Sequence, residues 1–130
     1  MAKLIFLTSL ILSSFSNLEA HELNPARLTL DEIETNSFEV VWRFPSNVLT
    51  KPGSVVYPSN CKETVDSLPK VEGKYQVTAS SLICESDLRN QELVVKGLSR
   101  MTDALISIQF FDGGQFEGLV SVNDPKMMIP

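Results

Sequence analysis

The clearest pattern along the chain is a strict alternation of apolar and polar positions in residues 38–44. Four large side chains fall on one side of an extended chain here: Phe38, Val40, Trp42 and Phe44. A face of this kind is typical of a strand that covers a core. We therefore interpret Trp42 as a core aromatic residue and not as a platform for a ligand.

Six further apolar stretches surround this strand and are separated by turn residues at fairly regular intervals. They lie at 26–33, 55–57, 74–84, 91–96, 104–111 and 115–122. The last two are joined by Asp112-Gly113-Gly114, a strong hairpin-turn signal. About seven strands at this spacing predict an all-β fold, an immunoglobulin-like β-sandwich. Residues 123–130 are interpreted as a polar tail without a packed element.

Phe110 and Phe111 are adjacent within one predicted strand. Neighbouring side chains on a strand point to opposite faces, so one ring should be buried and the other should need a cover or be exposed. An exposed Phe111 would indicate a binding patch.

The start of the chain has a different pattern, because Lys3 precedes an apolar run at 4–12. That run is too short to span a bilayer, and its layout matches a secretory signal peptide. We predict a signal peptide at 1–20, with cleavage after Ala20, and a β-sandwich domain at 21–130. A second small-x-small pattern at 14–16 offers an earlier site, so the mature terminus stays open.

Composition narrows the possible partners. The chain has 11 basic and 16 acidic residues and a net charge of -5. Removal of Lys3 and Glu19 with the signal peptide leaves that charge unchanged, and no basic cluster is present. Nucleic acid is therefore an unfavourable partner. We expect a periplasmic or secreted protein whose mature chain does not insert into a membrane.

Cys61 and Cys84 are the only cysteines in the sequence. An oxidising compartment would pair them without leaving a spare thiol, so one disulfide is predicted. The alternatives are two buried free thiols or a metal site, and no nearby histidine completes a tetrahedral set for the latter.

An ordered series of short motifs runs through the predicted domain. It begins with His21-Glu22-Leu23, Pro25-Ala26 and Trp42-Arg43-Phe44-Pro45, and it continues beyond the cysteines with Gly97-Leu98, Thr102-Asp103-Ala104-Leu105, Phe111-Asp112-Gly113 and Pro125. In this order the series resembles the exported N-terminal domain of HupE/UreJ-type membrane proteins.

The resemblance implies a role in handling nickel or another metal, with a membrane transporter or another envelope protein as partner. In that family several transmembrane helices normally follow the exported domain, and this sequence contains none after residue 20. Intramembrane metal ligands therefore cannot be assigned to any residue here. The chain is either a free-standing version of the domain or a truncated one.

His21 is the only histidine, and cleavage after Ala20 would make it the first residue of the mature chain. Its α-amine and imidazole would then form a chelate suited to Cu(II) or Ni(II). The remaining ligands would have to be carboxylates such as Glu22, a methionine such as Met127 or Met128, or groups of a partner protein. The alternative is that His21 is simply a polar start to the domain.

Catalysis has little support in the sequence. Nucleophilic mechanisms would need His21 at the terminus, and both cysteines are predicted to be oxidised. We therefore expect no enzyme, no catalytic residue and no bound cofactor other than the candidate copper or nickel ion. The favoured function is an exported, non-catalytic binding or accessory domain, and the alternative is a stand-alone copper- or nickel-binding protein that uses His21.

Overall fold

A computed structural model describes residues 24–46 and 51–130, which form ten β-strands and contain no helix. The strands are β1 (Ala26–Glu34), β2 (Ser37–Pro45), β3 (Ser54–Val56), β4 (Cys61–Val65), β5 (Lys70–Glu72), β6 (Tyr75–Cys84), β7 (Glu92–Lys96), β8 (Ala104–Gln109), β9 (Gln115–Val120) and β10 (Lys126–Met128). The predicted signal peptide and His21 lie outside the described residues.

The strands form two sheets of unequal size. Seven strands make the larger sheet, in the order β4-β6-β2-β1-β8-β9, with β5 also paired to β6. The smaller sheet has the order β10-β7-β3. Most pairs are antiparallel, but β1 and β8 at the centre of the larger sheet run parallel.

Both sheets contribute to one core. Alternate positions of β1 and β2 point inward, and Leu28, Leu30, Phe38 and Val40 are almost completely buried. From the smaller sheet, Leu93 and Val95 join the same cluster. The predicted all-β fold class is confirmed. The seven-and-three division is more uneven than the four-and-three division of a constant-type immunoglobulin domain.

The structure has three strands that the hydrophobic pattern did not predict. Two of them, β4 and β5, are edge strands whose residues are nearly all exposed, so no buried face leaves an alternating pattern. The third corrects the interpretation of the tail. Residues 126–128 form β10 against β7. Ile129 is fully buried in the core cluster, and its backbone N–H donates to the carbonyl oxygen of Gln91.

The disulfide prediction is confirmed, since Cys61 and Cys84 are bonded and no described cysteine is free. The two residues face each other directly in the ladder between β4 and β6. The bond therefore fastens the short edge strand β4 to the long strand β6.

The turn at 112–114 is stabilised by a cluster of three side chains, those of Arg89, Phe110 and Asp112. The Arg89 guanidinium donates to both carboxylate oxygens of Asp112 at 2.9 and 2.8 Å, and its carbon lies 3.8 Å from the centroid of the Phe110 ring. Asp112 also accepts from the backbone N–H of Gly114 at 2.8 Å. Phe110 is buried and Phe111 is 64% exposed, as predicted from their adjacency.

The cluster predicts a dependence of stability on pH. The hydrogen bond from Gly114, followed by that from Arg89, lowers the pKa of Asp112 below its ordinary value of 3.8. A carboxylate of this kind stabilises the fold above its unfolded pKa, and the stabilisation is lost as the pH falls through the folded pKa. The difference in unfolding free energy between wild type and Asp112→Asn should therefore shrink below about pH 4. Urea denaturation at pH 7 and pH 3 measures it, and a constant difference would contradict the prediction.

Candidate ligand pocket at the open side of the sandwich

The candidate site lies where the smaller sheet ends and the inward face of the larger sheet becomes polar. Along β6, inward-facing Leu82 and Cys84 belong to the core, whereas the next inward positions toward the start of the strand are Ser80 and Thr78. Strand β3 is the edge of the smaller sheet on this side. The space between β3 and these hydroxyl groups is a pocket of about 130 Å³.

Nine of the residues that the structure describes line this pocket, and they come from both sheets and from the segments on either side of β3. They are Trp42, Gly53, Ser54, Val55, Tyr57, Glu63, Val65, Thr78 and Ser80. Two of them are aromatic, several carry hydroxyl groups, and Glu63 is the only acidic or basic residue of the nine.

Ser80 is one of two buried polar residues in the described part of the chain, with 4% of its surface exposed. Burial of a hydroxyl group is unfavourable unless the group is hydrogen-bonded. Here the Ser80 hydroxyl donates to Oε2 of Glu63 at 2.7 Å. The bond holds the carboxylate at the pocket, although Glu63 itself lies on the exposed edge strand β4.

The Trp42 side chain is held in place by a hydrogen bond and by packing against a second ring. The indole N–H donates to the carbonyl oxygen of Gly53 at 2.9 Å, and the ring packs against Phe44 with 5.8 Å between centroids. Trp42 is only partly buried, so it packs on the core and lines the pocket as well. The expectation of a core aromatic residue was therefore incomplete.

Gly53 brings the wall of the pocket close to the core because it has no side chain. A Cβ atom at this position would lie 2.6 Å from the carbonyl oxygen of Lys96 and 2.8 Å from the ring of Phe44. Gly97 faces it with a positive φ of 85°, and a Cβ there would lie 2.8 Å from the Cα of Gly53. The two glycines let the backbone before β3 approach the backbone after β7. This close approach positions the Gly53 carbonyl oxygen that accepts the hydrogen bond from Trp42.

Tyr57 supplies the second aromatic ring. Burial raises the pKa of Tyr57 above its ordinary value of 10.0, and the negative charge of Glu63 raises it further. The phenol is therefore neutral at physiological pH. No hydrogen-bond partner for its hydroxyl is found among the described residues.

Neither the two cysteines nor the two methionines that the sequence singled out line this pocket. The disulfide pairs Cys61 with Cys84, and Glu63 follows Cys61 by two residues on β4. Among residues 24–46 and 51–130, no group of three His, Cys, Asp or Glu side chains is placed to hold a metal ion. His21 and Glu22 lie outside the described residues, while Met127 and Met128 lie on β10.

Phe111 meets the condition that sequence reasoning set for a binding patch, because its ring is largely exposed. Its backbone N–H donates to Glu32 at 2.9 Å, which ties the end of β8 to β1. Ile33 on β1 is also exposed.

The fold and this pocket define a disulfide-bonded, all-β domain with a small polar and aromatic site between its sheets. Comparison with models of known families and with curated proteins gives no match. The described residues contain no helix of the length and apolar character needed to cross a membrane.

Proposed function

We propose that the protein is an exported, non-catalytic binding domain whose ligand site is the pocket lined by Trp42, Tyr57 and Glu63. The observation that carries this proposal is the polar group at the core-facing position of Ser80. Ordinary sandwich strands place apolar side chains at such positions. A buried hydroxyl hydrogen-bonded to a carboxylate, in a pocket that two aromatic rings also line, supplies the few convergent polar groups by which ligand sites orient a ligand.

Export is supported by two features of different kinds. The signal-peptide pattern at 1–20 predicts passage out of the cytoplasm. The disulfide between Cys61 and Cys84 is the bond that an oxidising compartment would form and keep. The bond also occupies both thiols, so neither cysteine can act as a nucleophile while it is intact.

The proposed site can be tested by NMR spectroscopy of the processed, ¹⁵N-labelled chain with a library of small fragments. The sequence contains one tryptophan, so the spectrum has a single indole N–H signal, and it reports directly on the pocket. We expect binding fragments to shift this signal together with those of Tyr57 and Ser80. Shifts confined to other surfaces, such as the exposed side of β9, would contradict the proposal.

The resemblance to HupE/UreJ-type proteins adds a membrane-embedded partner to the proposal. The coding DNA beyond the codon for Pro130 and in the adjacent genes provides the check. Hydrophobic transmembrane segments encoded there would support the partnership, and their absence would count against it.

A further inference from the structure

We propose that the pocket between β3 and β4 binds a small organic cation, with an alkylammonium group placed between Trp42, Tyr57 and Glu63. This inference rests on the proposed function and adds the chemical class of the ligand. It follows from the charge, the aromatic content and the size of the pocket.

The charge of the lining is one-sided. Among the described residues that line the pocket, Glu63 is the only acidic one and none is Lys, Arg or His. One carboxylate oxygen accepts from Ser80, which fixes the group in place, and no described residue occupies the other oxygen. A positive ligand can use that second oxygen, whereas an anion would be repelled from it.

The two aromatic rings also favour a positively charged ligand. The face of a tryptophan or tyrosine ring attracts a cation, most strongly when water is excluded. Tyr57 suits this role because its phenol stays neutral, since burial and the charge of Glu63 raise its pKa. The Trp42 indole is held in position by its bond to Gly53.

The size of the pocket limits the cation. A cavity of about 150 Å³ can hold benzene, and this pocket has a volume of about 130 Å³. The pocket is somewhat smaller than that cavity, so its size is compatible only with a single small group, such as the head of an alkylammonium ion. A long polyamine or a peptide could place only one terminal ammonium group inside.

Tetramethylammonium chloride is the probe for the first experiment. Fluorescence of Trp42, the single tryptophan, is followed during titration of the processed chain, with sodium chloride at equal ionic strength as the reference. We expect saturable binding with a dissociation constant on the order of 1 mM. The neutral analogue tert-butanol, which is similar in shape, should bind about tenfold more weakly or not at all.

Variants then test the role of the carboxylate. Glu63→Gln keeps an oxygen that can accept from Ser80 but removes the charge, and it should weaken tetramethylammonium binding by about tenfold. The matched control is Glu39→Gln, which makes the same charge change on the exposed outer face of β2. The control should bind as the wild type does. Circular dichroism and thermal unfolding verify that both variants are folded.

Equal binding of the cation and tert-butanol would overturn the inference, and so would equal weakening by the two glutamine variants. Its failure is separable from failure of the proposed function. If fragments shift the Trp42 indole signal but no ammonium compound does, the pocket binds another class of ligand and only this inference is wrong. If no fragment shifts that signal, both proposals fail.

Discussion

Replacement of Phe110 by alanine is expected to lower the free energy of unfolding by about 3–5 kcal/mol. The ring is 4% exposed and packs edge-on against Phe38 with 6.5 Å between centroids. The Arg89 guanidinium covers its other side. The substitution leaves a cavity in the core and also removes the surface on which Arg89 rests. Urea denaturation monitored by circular dichroism measures the change.

The neighbouring ring provides the matched control. Phe111→Ala removes the same number of atoms from the next position of the chain, where the side chain is 64% exposed. We expect the unfolding free energy to change by no more than about 0.5 kcal/mol. Similar losses in the two variants would mean that the assignment of inward and outward faces at the end of β8 is wrong.

Loss of the disulfide is the second large effect. The bond closes a loop with a sequence separation of 23 residues. In the chain-entropy description, such a loop contributes about 3 kcal/mol by restricting the unfolded chain. The double variant Cys61→Ala, Cys84→Ala should be less stable by about that amount in denaturant titrations. Reduction of the wild-type protein should reproduce the loss.

The same change should affect the pocket. Glu63 lies on β4, whose residues are largely exposed and which is fastened to β6 through Cys61. Without the bond, we expect the backbone amides of β4 to exchange with solvent faster than they do in the wild-type protein. The exchange rates of β2 serve as the reference within the same chain. Two observations would contradict this account: unchanged stability of the double variant, or alkylation of two thiols in the denatured, unreduced wild-type protein.

Much of the fold could be predicted because its central strands bury one face. Apolar and polar residues alternate in the sequences of β1 and β2, and two glycines mark the turn at 112–114. Strands β4 and β5 could not be found in the same way. Edge strands with little burial have no reason to alternate, so the pairing partner β6 determines their structure.

The pocket could not be predicted from sequence, because its groups are brought together only by strand pairing. Glu63 and Ser80 are 17 positions apart, and each alone is an ordinary polar residue. A weak signal did exist in β6, where Thr78 and Ser80 occupy the same face as Leu82. The alternation correctly predicted that Trp42 points toward the core. Its position at the border of the core could not be predicted, because the border depends on where β3, the edge of the smaller sheet, ends.

The parallel pairing of β1 with β8 joins two strands that are far apart along the chain. β1 and β2 are joined by a tight turn and can form a hairpin early, whereas β8 arrives about 80 residues after β1. Closing so long a loop costs conformational entropy before the contacts compensate for it. Until then one side of the hairpin is an open edge that other chains can pair with. The time during which another chain can pair with this open edge is therefore determined by the pairing of β8 and not by the formation of the hairpin.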